Sequence, residues 1–483
     1  MFNFKLITNL IGLLLILNGI FMLTCLPTSI YFSEGDTMAI LLSSAISINV
    51  GVLAWYFTRD HQKKLKQKDG YLIVTLGWLA LSLSGSLPFI VSGTIPSFSS
   101  AFFETVSGYT TTGSSVLTDI EGVHKGILLW RSLTQWMGGM GIIVLTVAIL
   151  PILGVGGMQL FMAESPGPST SKLHPRITET AKRLWYIYAA FTLLEIIALR
   201  FAGMTWYDAI NHSFTTVSTG GFSTKNASVA AYNSPMIHYI ISIFMFFGGV
   251  NFTLFYFIIK LNWREIVKNE EFRMYLGLVV LTTIVTTVTL SFQNAHGLEQ
   301  NFRDSLFNVL SIVTTTGFAT ADYTTWGYFL TLAFFLLMFF GASAGSTAGG
   351  IKIVRHVLIV KNGLAELKRL LHPSAIIPVR YNGRAVEQKI VYNILAFFFI
   401  YLTVFLVGTI VMSLYGYDIL TSAGATISSL GNIGPGIGDV GPANNFSIFP
   451  ESAKVFLAFL MLLGRLELFT ILMLLMPNFW RNN

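Results

Sequence analysis

One cysteine, Cys25, stands in 483 residues, which leaves no internal disulfide and no cysteine-based metal site. Charge is scarce as well: Asp, Glu, Lys and Arg make up 11% of the chain, against roughly 25% in a soluble globular domain. That shortage excludes an ordinary cytosolic enzyme, a disordered chain and a disulfide-stapled secreted domain. No G-x-x-x-x-G-K-[ST] run supplies a phosphate cradle, and the eight histidines show neither H-E-x-x-H nor paired metal spacing. The run from Gly436 to Gly441 satisfies G-x-G-x-x-G, but it follows a short helix rather than a strand, so it is discounted as a dinucleotide site. His212 reads as a packing residue. With no recognisable catalytic set, the chain is read as a non-enzyme.

What is abundant is apolar residues, at 53% of the chain. A bilayer crossing takes about 20 apolar residues, and ten segments qualify: 4–32, 38–57, 71–92, 126–153, 182–203, 236–260, 274–292, 327–357, 388–415 and 453–477. The first is too long for a cleaved signal and is kept as a helix. Loops alternate in sign: Glu34 and Asp36 follow the first crossing, and Arg59, Lys63, Lys64, Lys66 and Lys68 follow the second. Only Lys125, Arg131, Arg200, Lys225, Arg303 and Lys454 fall on the acidic side, and Arg465 lies inside a crossing. The remaining 23 of the 30 Lys and Arg cluster around 59–68, 172–183, 260–273, 352–389 and the termini. By the positive-inside rule those stretches, and both termini, are cytoplasmic. The net charge of +7 therefore reports lipid topology rather than nucleic acid. The larger basic loop, 352–389, is also a candidate docking site for a partner.

The connections on the other side repeat. Four carry a short segment too short to cross, each running into a Thr-, Ser- or Gly-rich stretch. The first, 101–113, ends Thr110-Thr111-Thr112-Gly113; the second opens at Asp208 and reaches Thr219-Gly220-Gly221; the third opens at Asp304 and reaches Thr315-Thr316-Gly317. Gly221 and Gly317 each come thirteen residues after the Asp. The fourth opens at Asp418 and allows two registers, Gly431 at the same spacing or Gly434 at sixteen. Gly434 is preferred, because Asn432-Ile433-Gly434 then supplies two residues and a glycine as in the other copies. The pattern is helix, re-entrant half-helix, extended loop, helix, used four times, with the first two crossings outside it. Irregular backbone at membrane depth is tolerated only where protein buries it or a watery cavity borders it, and four such loops most economically share one cavity. Glycine lets the chain turn its carbonyls toward a common axis, and a ring of carbonyl oxygens can replace the water around K⁺. Asp208, Asp304 and Asp418 are expected to cap the half-helices.

These residues, with Gly138-Gly139-Met140-Gly141, the run Pro151-Ile152-Leu153-Gly154-Val155-Gly156-Gly157-Met158, and Pro373, resemble the Trk/Ktr/HKT superfamily of K⁺ transporters over nearly the whole chain. The resemblance implies an all-α polytopic membrane protein with four pseudo-symmetric helix–pore-loop–helix repeats around a central pore, plus two extra N-terminal transmembrane helices. The divisions follow as 1–69 for the extra helices, then repeats at 70–160, 161–273, 274–387 and 388–483. It implies that the carbonyls of Thr111, Thr112, Thr219, Gly220, Thr315, Thr316, Asn432 and Ile433 coordinate K⁺. In plant relatives a serine at the first filter glycine accompanies Na⁺ preference; here Gly113, Gly221, Gly317 and Gly434 are all glycine, favouring K⁺. Further implications are a homodimer with one path per subunit and a cytosolic ring of the TrkA type. That ring would carry NAD and ATP/ADP, with 352–389 and 260–273 as contacts, while this chain binds no nucleotide itself.

The eighth crossing is interrupted at 341–350, where Gly341, Gly345, Gly349 and Gly350 stand among Ala, Ser and Thr. Such a run is too costly in backbone entropy to stay a regular helix. It is either a close-packing helix contact or a mobile plug below the filter, and the plug is preferred because the superfamily carries an intramembrane gating loop here. Arg465, midway along the last crossing, either pairs with Glu467 or with carbonyls, or reaches the pore beneath the filter and repels cations when the gate is shut. The expected function is gated, channel-like K⁺ uptake across a bacterial inner membrane. The alternative is K⁺/H⁺ or K⁺/Na⁺ symport, with Glu104, Glu195 or Glu467 as proton carrier.

Overall fold

A computed structural model describes residues 2–60, 67–141, 177–252, 254–255, 262–293 and 296–481. Residues 151–158, 172–176, 260–261 and 61–66, on which parts of the sequence argument rest, lie outside them. The described chain is helical apart from one two-residue hairpin, β1 (Arg380–Tyr381) with β2 (Arg384–Ala385), turned at Asn382 and Gly383.

The long helices are α1 (Phe4–Leu23), α2 (Thr37–Phe57), α3 (Gln67–Gly85), α6 (Ile177–Phe201), α9 (Glu270–Phe292) and α13 (Gln388–Leu414). Each belongs to a stretch long and apolar enough to cross a membrane. Two small-residue faces join α1 to α2: a Cβ on Gly12 would stand 2.7 Å from the Gly51 carbonyl, and one on Gly51 2.6 Å from that of Gly12. Ser44 and Ser47 donate across the same seam to Gly19 and Leu15, the close-approach packing that replaces hydrophobic driving force inside lipid.

Four short helices follow the long ones: α4 (Phe98–Tyr109), α7 (Trp206–Val217), α10 (Leu298–Val313) and α14 (Ile419–Gly431). The expectation that Asp208, Asp304 and Asp418 cap these helices holds only at Asp418, which accepts from the amides of Leu420 and Thr421. Hydrogen bonds to Thr421 and burial act on it in opposite directions, and the bonds win, holding its carboxyl below the usual range. Asp208 stands one turn in, where its amide donates to Oγ1 of the capping Thr205 and its carboxylate accepts from that hydroxyl. Asp304 lies further inside because the polar run from Leu298 already continues the helix upstream. Asp208 and Asp304 instead accept from Thr224 and Thr320, three residues past Gly221 and Gly317.

The helices after these four are short or broken: the interruption expected in the eighth crossing at 341–350 is present, and the fourth and tenth crossings break as well. These helices are α5 (Lys125–Trp136), α8 (Pro235–Gly248), α11 (Tyr328–Leu337) with α12 (Ile353–Leu371), and α15 (Glu451–Arg465) with α16 (Phe469–Leu475). A kink at Gly139 follows α5, α11 gives way to the 341–350 loop, and α15 and α16 bend by 116° across Glu467 and Leu468, both left-handed. The cause is crowding by the short helices. A Cβ on Gly138 would lie 1.8 Å from the Tyr109 carbonyl, and one on Gly464 2.0 Å from the Leu430 carbonyl.

Candidate functional site

Each short helix ends in the same backbone figure. Thr111, Thr219, Thr315 and Asn432 are left-handed, with φ of 52°, 55°, 55° and 53°, and two residues on Gly113, Gly221, Gly317 and Gly434 take φ of 87°, 75°, 83° and 106°. The amides turn back onto their own helices: Thr112 to Ser107 (2.9 Å), Gly220 to Thr215 (2.8 Å), Thr316 to Ser311 (2.8 Å) and Ile433 to Ser428 (2.9 Å). This is the Schellman closure of a helix C-terminus, which normally recruits Gly or Asn at the left-handed position. Only the fourth copy does so. A β-branched threonine there is strained by about 1–3 kcal/mol, and three copies share that strain. Asn432 thus matches Thr111, and Gly434, not Gly431, matches Gly113.

The four glycines abut one another's segments in rotation. A Cβ on Gly113 would sit 2.2 Å from the Gly220 carbonyl oxygen, on Gly221 1.9 Å from that of Thr316, on Gly317 2.2 Å from that of Ile433, and on Gly434 2.9 Å from that of Thr112. First meets second, second third, third fourth, and fourth returns to first, so segments from all parts of the chain enclose one point. With the amides committed backward, carbonyls are left over. The carbonyls of Thr111, Thr112, Thr219, Thr315, Thr316, Asn432 and Ile433 accept no hydrogen bond among the described residues, although all seven residues are buried. Gly220 differs: its oxygen accepts from Nε2 of Gln135 at 2.6 Å. Buried carbonyls are almost always satisfied, and a set of oxygens with no protons among them suits a hard cation.

Beneath this point lies the 341–350 loop. The amide of Gly341 donates to Ile351 (2.8 Å), Ser343 to Gly249 (3.0 Å), and Phe252 to Gly345 (3.0 Å). Gly345 and Gly350 are left-handed, and the Gly349 amide reaches Oγ1 of Thr315 itself (2.7 Å). A Cβ on Gly349 would meet the Gly431 carbonyl and Asn432 Cβ, each at 2.7 Å. Arg465 donates to the carbonyls of Thr347 (2.9 Å), Gly138 (2.8 Å) and Gly139 (3.2 Å), and so ties the loop to the kink after α5. Of the two kinds of partner expected for Arg465, these are the carbonyls; Glu467 pairs with Arg355 of α12, whose guanidinium lies 3.7 Å from the Phe397 ring centre.

Glu271 escaped the sequence reading, and Glu104, Arg131 and His212 have contacts that it did not foresee. Glu271, buried at the start of α9, accepts from the amides of Ala344 (2.7 Å) and Val354 (3.1 Å) and so holds the loop at both sides. Glu104 of α4 pairs with Arg131 of α5 at 2.7 Å and accepts from Ser115 and Val116 just past Gly113. Arg131 reaches onward to the Ser223 carbonyl (3.2 Å) and lies over Phe222, just past Gly221. His212, nine residues before Gly221 as Glu104 is before Gly113, bonds Ser223 Oγ (2.9 Å) and the Asp208 carbonyl; it packs, and it also braces. The available signal was one carboxylate and one guanidinium in otherwise apolar surroundings. The Gly436–Gly441 run forms a loop and a single 3₁₀ turn after α14, with no strand before it.

The spanning helices and this four-cornered main-chain site define an all-helical, multi-span membrane protein. Residues 36–481 match the family model TrkH, described as cation transport protein. The Trk system potassium uptake proteins TrkH of Salmonella typhimurium and of Escherichia coli K12 are each 41% identical to the chain, over 99% of it and 100% of their own length. The crystal structure of the potassium transporter TrkH from Vibrio parahaemolyticus superposes with a TM-score of 0.89 at 39% identity, covering 99% of this chain and 100% of that one. The chain belongs to the TrkH family of cation transport proteins.

Proposed function

We propose that this protein takes up potassium across a bacterial inner membrane through a gated, K⁺-selective, channel-like pore. The observation that carries the reading is the set of seven buried carbonyls without donors, gathered where four glycines abut in rotation. Their oxygens replace the hydration shell of K⁺, and a negative interior draws the ion in with about 2.3 kcal/mol per charge per 100 mV. In this reading 70–160, 161–273, 274–387 and 388–483 are four pseudo-symmetric pore repeats, 1–69 adds two helices outside them, and both termini are cytoplasmic. Purified protein in liposomes is expected to pass K⁺ with a reversal potential that follows the K⁺ gradient alone; dependence on an imposed proton gradient would establish the symport reading instead. Of the three carboxylates considered as the proton carrier for symport, Glu104 is held by Arg131 and Glu467 by Arg355, which leaves Glu195, buried in α6.

The 341–350 loop is the gate, closed by Arg465 and Glu271. Loss of one charge-assisted bond removes on the order of 1.5–3 kcal/mol from the closed state. Arg465→Ala, which removes all three of its carbonyl contacts, is therefore expected to raise K⁺ flux at least about tenfold, and unchanged flux in the same liposomes would remove Arg465 from the gate. The regulatory partner is a cytosolic nucleotide-binding ring of the TrkA type, carrying the NAD and ATP/ADP sites. In support, the far end of α12 interleaves Lys368 and Arg369 with exposed Leu367, Leu370 and Leu371, and the β1–β2 hairpin is held to α12 by Lys361, which donates to the Arg380 carbonyl, and to α9 by the Glu270 amide, which donates to Asn382. The assembly is a homodimer with one permeation path per subunit.

A further inference from the structure

The third position of the four filter segments is Thr112, Gly220, Thr316 and Ile433, three side chains and one glycine. Gly220 is not left-handed, so its backbone does not require glycine. The reason lies outside the segment: a Cβ there would stand 2.3 Å from Cδ, 2.4 Å from Oε1 and 2.8 Å from Nε2 of Gln135. Gln135, on α5 and fully buried, occupies the volume that a side chain at 220 would fill.

Its amide is used at both ends. Nε2 donates to the Gly220 carbonyl (2.6 Å), and Oε1 accepts from the Phe222 amide (3.0 Å). Only one orientation of the amide satisfies both, because only the nitrogen carries protons. In the first and third segments the threonine at this position is tied by its hydroxyl to other side chains of the four segments: Thr112 Oγ1 bonds Thr110 Oγ1 (2.7 Å) and receives Asn432 Nδ2 (2.9 Å), and Thr316 Oγ1 bonds Thr314 Oγ1 (2.7 Å). One turn earlier on α5, Arg131 holds Ser223, so α5 secures the second segment from residue 220 to 223.

We infer that Gln135 is the positioning residue of the second filter segment, standing in for the side chain absent at Gly220 and fixing the angle of its carbonyl, and with it the discrimination of K⁺ against Na⁺. This rests on the filter reading above. Gln135 and Gly220 form one unit, and their substitutions couple as contacting residues do.

The test is a double-mutant cycle in liposomes, reading K⁺/Na⁺ permeability from reversal potentials. Gln135→Ala leaves the second segment unsupported, and Gly220→Thr drives a side chain into the glutamine; each is expected to lower the ratio about tenfold. Gln135→Ala with Gly220→Thr, which rebuilds the arrangement of the first and third segments, is expected to return it to within about threefold of the unmodified chain. An unchanged ratio in Gln135→Ala, or a double variant as poor as the product of the singles, overturns the inference. If either single variant is not recovered from the membrane, recovery of a selective double variant supports it and failure of the double overturns it. Gly221→Ser, measured alongside, separates the two levels: if that variant also keeps full selectivity, the filter reading itself has failed.

Discussion

Gly221→Ser is expected to abolish the preference for K⁺ over Na⁺, lowering the permeability ratio at least about tenfold, and to reduce K⁺ flux. Two costs combine. At φ of +75° an L side chain is strained, by about 1–2 kcal/mol. The larger cost is contact: the new Cβ would lie 1.9 Å from the carbonyl oxygen of Thr316 and 2.9 Å from its carbon. That neighbour is main chain, with its amide already tied to Ser311, so relief requires the third segment to move. Its carbonyl is one of the proposed ion ligands, and a ring widened on one side loses the geometry that distinguishes two cations of equal charge. At Gly434 the nearest atom, the Thr112 oxygen, stands at 2.9 Å, and a neighbour at that distance need shift much less. Gly434→Ser is accordingly expected to retain more selectivity than Gly221→Ser, and the reverse order in reversal-potential measurements would remove the crowding argument.

Breaking the Glu104–Arg131 pair is expected to cost about 3–5 kcal/mol of stability, the range for orphaning one member of a buried ion pair. Both side chains are almost wholly excluded from solvent. Arg131→Ala leaves the Glu104 carboxylate with Ser115 and Val116 alone, and Glu104→Ala leaves a guanidinium with one carbonyl and the face of Phe222. Thermal denaturation of the detergent-solubilised protein is expected to show a marked fall for either single change. The double replacement Glu104→Leu with Arg131→Met is expected to recover much of it, because desolvating two charges offsets most of their attraction. Single variants that melt with the unmodified protein would show the pair to be solvated. The pair also bridges the segments leaving Gly113 and Gly221, so the single variants should lose K⁺/Na⁺ discrimination before they lose the fold.

The four left-handed turn segments could be read from the chain because their chemistry is local. Threonine-rich stretches ending in glycine recur about a hundred residues apart, and the left-handed turns they form need nothing distant to recognise. The fourth copy shows where local reading strains. Counting thirteen residues from an aspartate points to Gly431, but the aspartates are not equivalent, since Asp418 caps its helix while Asp208 and Asp304 lie inside theirs. Matching the residues beside the glycine, rather than the distance from the acid, gives Gly434. Hydropathy found the long helices because it measures composition, and missed the kink at Gly139 and the bend after Arg465 because close approach of Gly138 and Gly464 to distant carbonyls is a three-dimensional fact. Gln135, Glu271 and the Glu104–Arg131 pair were hidden for the same reason: their partners are 27 to 87 residues away, and no spacing rule links them.

Because all four walls of the carbonyl ring are written in one polypeptide, no symmetry forces them to change together. In an assembly of identical subunits one substitution strikes every corner at once, whereas here Gly220 departed from its counterparts and a glutamine from a neighbouring helix took up the space. On the proposed filter reading each quadrant can be adjusted by itself, so discrimination between ions would be a quantity set in quarter steps.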